Sequence, residues 1–174
     1  MVHWLIHYPM PLWILIPLLA FTAIIQITIL PQIPIFGYKP DPALALVVAW
    51  ALLSPVGEAA VWGFIVGIFL DLASGLPFGV HTIALTTIGW LIGWGQATFF
   101  RGNLLAPPIA AVLATLVHNV IVLGILALLQ WQINWGEYLL RITLPSTILN
   151  ALALPLVYFP LRLFQRRTHP QMDF

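Results

Sequence analysis

The sequence predicts an all-α polytopic membrane protein with six transmembrane helices. Two observations predict it. The 174-residue chain is 61% hydrophobic and only 6% charged, against about 25% charged in an ordinary soluble domain. The few charges also act as punctuation: none occurs in residues 1–38, 42–57, 59–70, 72–100, 102–136 or 142–161. Uncharged apolar runs of about 18 residues or more are long enough to cross a bilayer as helices. The whole chain is expected to form one transmembrane domain, with residues 162–174 as a basic cytoplasmic tail.

The elements follow in order. Helix one is expected over 12–30, with Pro17 inside it and Pro31 and Pro34 stopping it. Pro40-Asp41-Pro42 opens helix two, over 41–53. The turn Ser54-Pro55-Val56-Gly57 leads into helix three, over 58–73. Helix four is expected over 79–100, helix five over 105–130 and helix six over 138–161. Helices two and three reach only roughly 20 to 25 Å, less than the hydrocarbon thickness of ~30 Å. They are expected as a hairpin of short spans or a partly re-entrant pair.

Orientation is read from lysine and arginine, which favour the cytoplasmic side. Arg101 follows helix four, and Arg162, Arg166 and Arg167 follow helix six. Both groups then face the cytoplasm, as do both termini, with Lys39 and Arg141 outside. Trp131, Trp135 and Tyr138 read as an outer aromatic belt, and Trp4 with Tyr8 as an inner one. The six basic residues are scattered, so they make no nucleic-acid surface. There is no cysteine, which removes disulfides and thiolate metal sites. The first apolar run lacks a basic leader and a small-residue cleavage site, so it is not read as a removable signal peptide.

The most informative stretch is GFIVGIFLDLASGLPFG, residues 63–79. Gly63, Gly67 and Asp71 stand four apart and share a helix face. Glycines at that spacing let a second backbone approach closely in lipid. Gly89 and Gly93 repeat the device on helix four, and Gly75 and Gly79 free the turn between the two helices. Asp71 opposes the dipole at the end of its own helix and is costly in a membrane unless satisfied. Three roles are open to it: a clamp on the free N–H groups that begin helix four, a partner-binding charge, or proton or ion transfer.

Residues 40–95, from PDPALALVVAW to TTIGWLIG, resemble the signature of the MreD family of rod shape-determining proteins. The match rests on Pro40-Asp41, Gly63-Phe64, Gly67, Asp71, Gly75, Pro77 and Gly79. The resemblance implies a six-helix inner-membrane component of the bacterial elongation machinery, the Rod complex. It implies direct binding to the single-span protein MreC. MreB filaments, the glycosyltransferase RodA and its paired transpeptidase would be reached through the complex. The family fold is also similar to the S components of energy-coupling-factor vitamin transporters.

Polar residues inside the spans are predicted to converge. Helix six carries Thr143, Ser146, Thr147 and Asn150 on one stripe, and helix five carries Thr115, His118 and Asn119. Helix four adds His81, Thr82 and Thr86, and helix one adds Gln26. Such residues turn towards a bundle interior or a wet cavity. Their concentration in the outer half predicts an outward-opening pocket, with Asn119 and Asn150 below a rim of Asp71, His81 and Glu137. A partner's membrane-proximal segment would cover it. Modest interhelical hydrogen bonds are the plainer use of each residue. Val122 is expected to face lipid, and Leu70 is read as facing lipid in the packing of helix three.

Three classes of function follow. The first is a non-enzymatic scaffold, needed for rod cell shape, that docks partner helices. The second is a solute-binding S component, which would need an Ala-xxx-Ala pair on helix one, where Ala20 and Ala23 stand only three apart. The third is an intramembrane enzyme, for which no HExxH, GxSxG, paired-aspartate or thiol motif is present. His3 and His7 lack a third ligand nearby and are read as interfacial rather than metal-binding. No cofactor is expected.

Overall fold

The computed structural model describes residues 12–32, 38–96, 98, 105–132 and 134–168. Trp4, Tyr8, His3, His7, Pro34 and Arg101 lie outside the described residues. Among those described, every regular element is helical and there is no strand. Six helices follow one another. Helix α1 is Leu12–Ile24, continued by a π-helical turn at Ile25–Ile29 and a 3-10 turn at Leu30–Gln32. Then come α2 (Pro42–Ala51), α3 (Glu58–Ala73), α4 (Val80–Gly95) and α5 (Ala106–Leu128). Helix α6 opens as Trp135–Tyr138, passes through a π-helical turn at Leu139–Thr143 and continues as Leu144–Thr168.

Among the described residues three segments are long and apolar enough to cross a membrane: Leu15–Gln32, Ala106–Leu128 and Trp135–Gln165. Helix α6 outruns its expected end at Leu161. Arginines mark where an apolar run stops, but they suit the negative end of a helix and need not end it. Arg162 accordingly sits on the helix, its guanidinium 5.9 Å from the Tyr158 ring centroid.

The core is organised around α2. Pro42 at its first position carries no N–H to leave unpaired, and Asp41 caps it. Every residue from Ala43 to Leu52 is buried. A helix that is apolar all round belongs inside a bundle, and α2 packs against α1, α3, α4, α5 and α6. At ten residues it is roughly 15 Å long, about half a hydrocarbon thickness. Trp50 of α2 stacks on Trp62 of α3 with ring centroids 4.3 Å apart and planes 8° from parallel. At the far end of α2, the Gln165 amide of α6 donates to the Leu53 carbonyl.

Helices α3 and α4 form the closest pair, and glycine is the reason. A Cβ at Gly67 would lie 2.5 Å from the Thr82 Cα. One at Gly63 would overlap the Leu85 carbonyl, and one at Gly89 would overlap the Ala59 carbonyl. Gly93 is in ordinary contact only, 3.7 Å from the Val56 Cα. Gly75 and Gly79 have open or ordinary space around them and serve the turn between the two helices rather than their packing. Their φ angles are +73° and +103°, in the left-handed region that a side chain disfavours. Leu70 and Val122 are corrected as well. Both are buried, Leu70 in the main core and Val122 against Val80 and Ala84.

Candidate functional site

The stretch around Asp71 is built by the α3–α4 turn. Gly79 precedes α4 in the cap position but has no side chain to cap it. Asp71, from the preceding helix, does so instead. Its Oδ2 accepts from the Gly79 amide at 2.9 Å, the Thr82 amide at 3.0 Å and the Thr82 hydroxyl at 2.6 Å. Its Oδ1 accepts from the His81 amide at 2.8 Å. Helix starts leave such amides unpaired and carry partial positive charge, so a carboxylate is the matching cap. Asp71 is 5% exposed. The clamp among its three possible roles is therefore built, and it occupies both oxygens.

A second capped start lies at the centre of the bundle. Asp41 Oδ1 accepts from the Leu44 amide at 2.8 Å, and Gln26 Oε1 from the Ala43 amide at 2.9 Å. Asn150 Oδ1 accepts from the Asp41 amide at 2.8 Å. Asn150 then donates to Thr115 Oγ1 at 3.2 Å, and Thr115 donates to the Ala111 carbonyl at 2.8 Å. Four helices are thus tied at the first turn of α2. Gln26 reaches it from the π-helical turn of α1, one of the local irregularities that commonly re-aim side chains.

The side chains of helices one, five and six converge as expected, and Gln26 and Asn150 hold the backbone at Asp41 and Ala43. Ser146 and Thr147 both donate to the Thr143 carbonyl of their own helix, at 3.0 and 2.6 Å. Of the expected rim, Asp71 and His81 meet through the His81 amide. Asp71 is buried under the turn, whereas Glu137 is exposed and paired with Arg141 at 3.0 Å.

Three expected residues keep polar capacity in reserve. His81 and His118 face each other with ring centroids 6.0 Å apart and planes 19° from parallel. Nδ1 of His81, Nε2 of His118 and Oγ1 of Thr143 are buried without a hydrogen-bond partner among the described residues. Asn119, next to His118 in sequence, is buried as well, 8% exposed. Among the described residues no group of three His, Cys, Asp or Glu side chains could hold a metal ion.

With that geometry in hand, comparison with known families is decisive. Residues 8–168 match the family of rod shape-determining protein MreD. The chain belongs to the MreD family. Membership carries a role in determining rod cell shape, and it agrees with the apolar helices in placing the chain in a membrane. No solved structure matches the chain. In this member of the family, the Pro40-Asp41 and Gly63-to-Gly79 signature residues have concrete uses: one aspartate caps α2 and the other caps α4.

What sequence reasoning missed is Asp41, used only to mark a helix start, and a surface groove between the end of α5 and the start of α6. That groove encloses about 560 Å³ and is lined by Leu123, Leu126, Trp131, Glu137, Tyr138 and Arg141 among others. Two signals pointed to it: the aromatic belt at 131–138, and a Glu137/Arg141 pair at a spacing of four.

Proposed function

We propose that this protein is a non-enzymatic integral-membrane scaffold of the bacterial cell-wall elongation complex. It would sit in the inner membrane with both termini cytoplasmic. It would bind the single-span MreC directly, and reach RodA, its paired transpeptidase and MreB through the complex. The supporting observation is the use of the buried polar side chains. Asp41, Asp71, Gln26 and Asn150 are all bonded to backbone at helix starts. Such a bundle is internally fastened and presents apolar faces outward.

Docking is then lateral, helix against helix, rather than insertion into an outer pocket. Leu144, Ile148, Leu152 and Leu156 form an exposed ridge on α6, at 52%, 61%, 70% and 76% exposure. A single partner helix can pack along a seam of this length by van der Waals contact. Partner-binding roles for Asp71, His81, His118, Asn119, Glu137, Thr143, Ser146 and Asn150 would then be indirect, through the shape of the bundle. The S-component alternative is weakened by Ala23, which is 1% exposed and packed into the core.

Co-purification from native membranes with mass spectrometry tests the reading. Recovery of the single-span partner and other peptidoglycan-elongation proteins supports it. Recovery of an ATPase transport module in their place reverses it in favour of solute transport.

A further inference from the structure

The groove between α5 and α6 has a graded lining. Leu123 and Leu126, 1% and 8% exposed, form an apolar floor. Trp131 and Tyr138 line the same groove, as do the charged pair Glu137 and Arg141. Aromatic rings beside an apolar floor mark the depth at which lipid headgroups meet acyl chains. A volume of about 560 Å³ lies within the range of small-ligand sites.

The charged pair is poised to exchange partners. Arg141 Nη1 meets Glu137 Oε1 at a single 3.0 Å contact, with side chains 77% and 54% exposed. Exposed pairs of this kind contribute little to stability, so either member can turn to a ligand at small cost. A guanidinium has five N–H donors, and among the described residues only this one contact engages Arg141. Glu137 also receives the Asn134 amide at 3.5 Å. A phosphate alone would meet Arg141 while facing the Glu137 carboxylate. A phosphate joined to an ammonium group satisfies both.

We propose that this groove binds a zwitterionic phospholipid of the ethanolamine class, with its phosphate on Arg141, its amine on Glu137 and an acyl chain along Leu123 and Leu126. None of the residues that line it belongs to the partner-docking seam at Leu144, Ile148, Leu152 and Leu156.

The full chain, delipidated in detergent, is titrated by native mass spectrometry with phosphatidylethanolamine and with phosphatidylglycerol of identical acyl chains. The native chain should retain the ethanolamine lipid about fivefold better, the discrimination expected from one exposed charge pair. Glu137→Gln should erase the preference, and Arg141→Gln should weaken both lipids. Leu163→Ala, away from the groove, should change neither. Phosphoethanolamine without acyl chains should bind far more weakly. Equal retention of the two lipids by the native chain overturns the proposal. So does an unchanged preference in Glu137→Gln at unchanged thermal stability, or free phosphoethanolamine binding as well as the lipid.

Discussion

Asp71 and Thr82 are joined twice: the amide and the hydroxyl of Thr82 both donate to the same carboxylate oxygen, at 3.0 and 2.6 Å. The bond crosses from the end of α3 to the first turn of α4, where Gly67 also lies against the Thr82 backbone. One residue of α4 therefore receives both the polar clamp and a close backbone approach from α3. The hairpin is fixed in register by that coincidence.

The first prediction concerns the carboxylate. Hydrogen bonds to a charged group contribute about 1.5–3 kcal/mol, and a buried unpaired donor costs about 1–3 kcal/mol. Asp71→Asn keeps one accepting oxygen and should lower thermal stability in detergent, yet leave a folded protein. Asp71→Leu strands three amides and a hydroxyl and should fail to accumulate. Indistinguishable stability of the two variants would remove the clamp as the main role of Asp71.

The second prediction separates two glycines of one motif. Gly89→Ala places a Cβ into the Ala59 backbone, whereas Gly93→Ala reaches only ordinary contact at 3.7 Å. Overpacking costs about 1–3 kcal/mol, so Gly89→Ala should be markedly less stable and Gly93→Ala close to native. Gly67→Leu should be worse than either. Thermal unfolding followed by size-exclusion chromatography reads the order, and equal midpoints for the two alanine variants would show that the helices can slide apart freely.

The uneven legibility of the fold has physical causes. Gly63, Gly67 and Asp71 were readable because a spacing of four is local and its packing consequence is direct. Helix α3 was placed from Glu58 to Ala73, as observed, because Gly57 and Ser74 bracket it. Leu70 and Val122 were not readable. In a membrane both the lipid face and the core face are apolar, so hydrophobic periodicity does not say which is which. The central place of α2 was hidden for the same reason, since a ten-residue apolar helix reads alike as a short span or a core. The convergence of Gln26, Thr115 and Asn150 was visible in their shared faces. Their partners were not, because backbone amides leave no mark on a side-chain pattern.

The third prediction concerns topology. The native chain has no cysteine, so single introduced thiols report cleanly. Gly136 is exposed at the first turn of α6, and Gly136→Cys should react with a membrane-impermeant maleimide added from outside. Labelling only after the cytoplasmic face is opened would invert the proposed orientation.

The last prediction concerns the first turn of α2. The Asn150 side chain bonds both the Asp41 amide and the Thr115 hydroxyl, so it links α6 to α2 and α5 at once. Asn150→Leu removes both bonds and leaves the part-buried Asp41 amide unpaired at the start of α2, a loss of about 1–3 kcal/mol. Gln26→Leu strands the neighbouring Ala43 amide from the opposite side, with a similar expected loss. Both substitutions act on one short turn, so their effects should not add. Once one amide is free, that turn frays and the second bond is worth less. Hydrogen exchange at residues 41–44 should therefore quicken in each single variant and little further in the double. Native protection at these amides in Asn150→Leu would show that the turn is held by the packing of α2 alone, without its polar anchors.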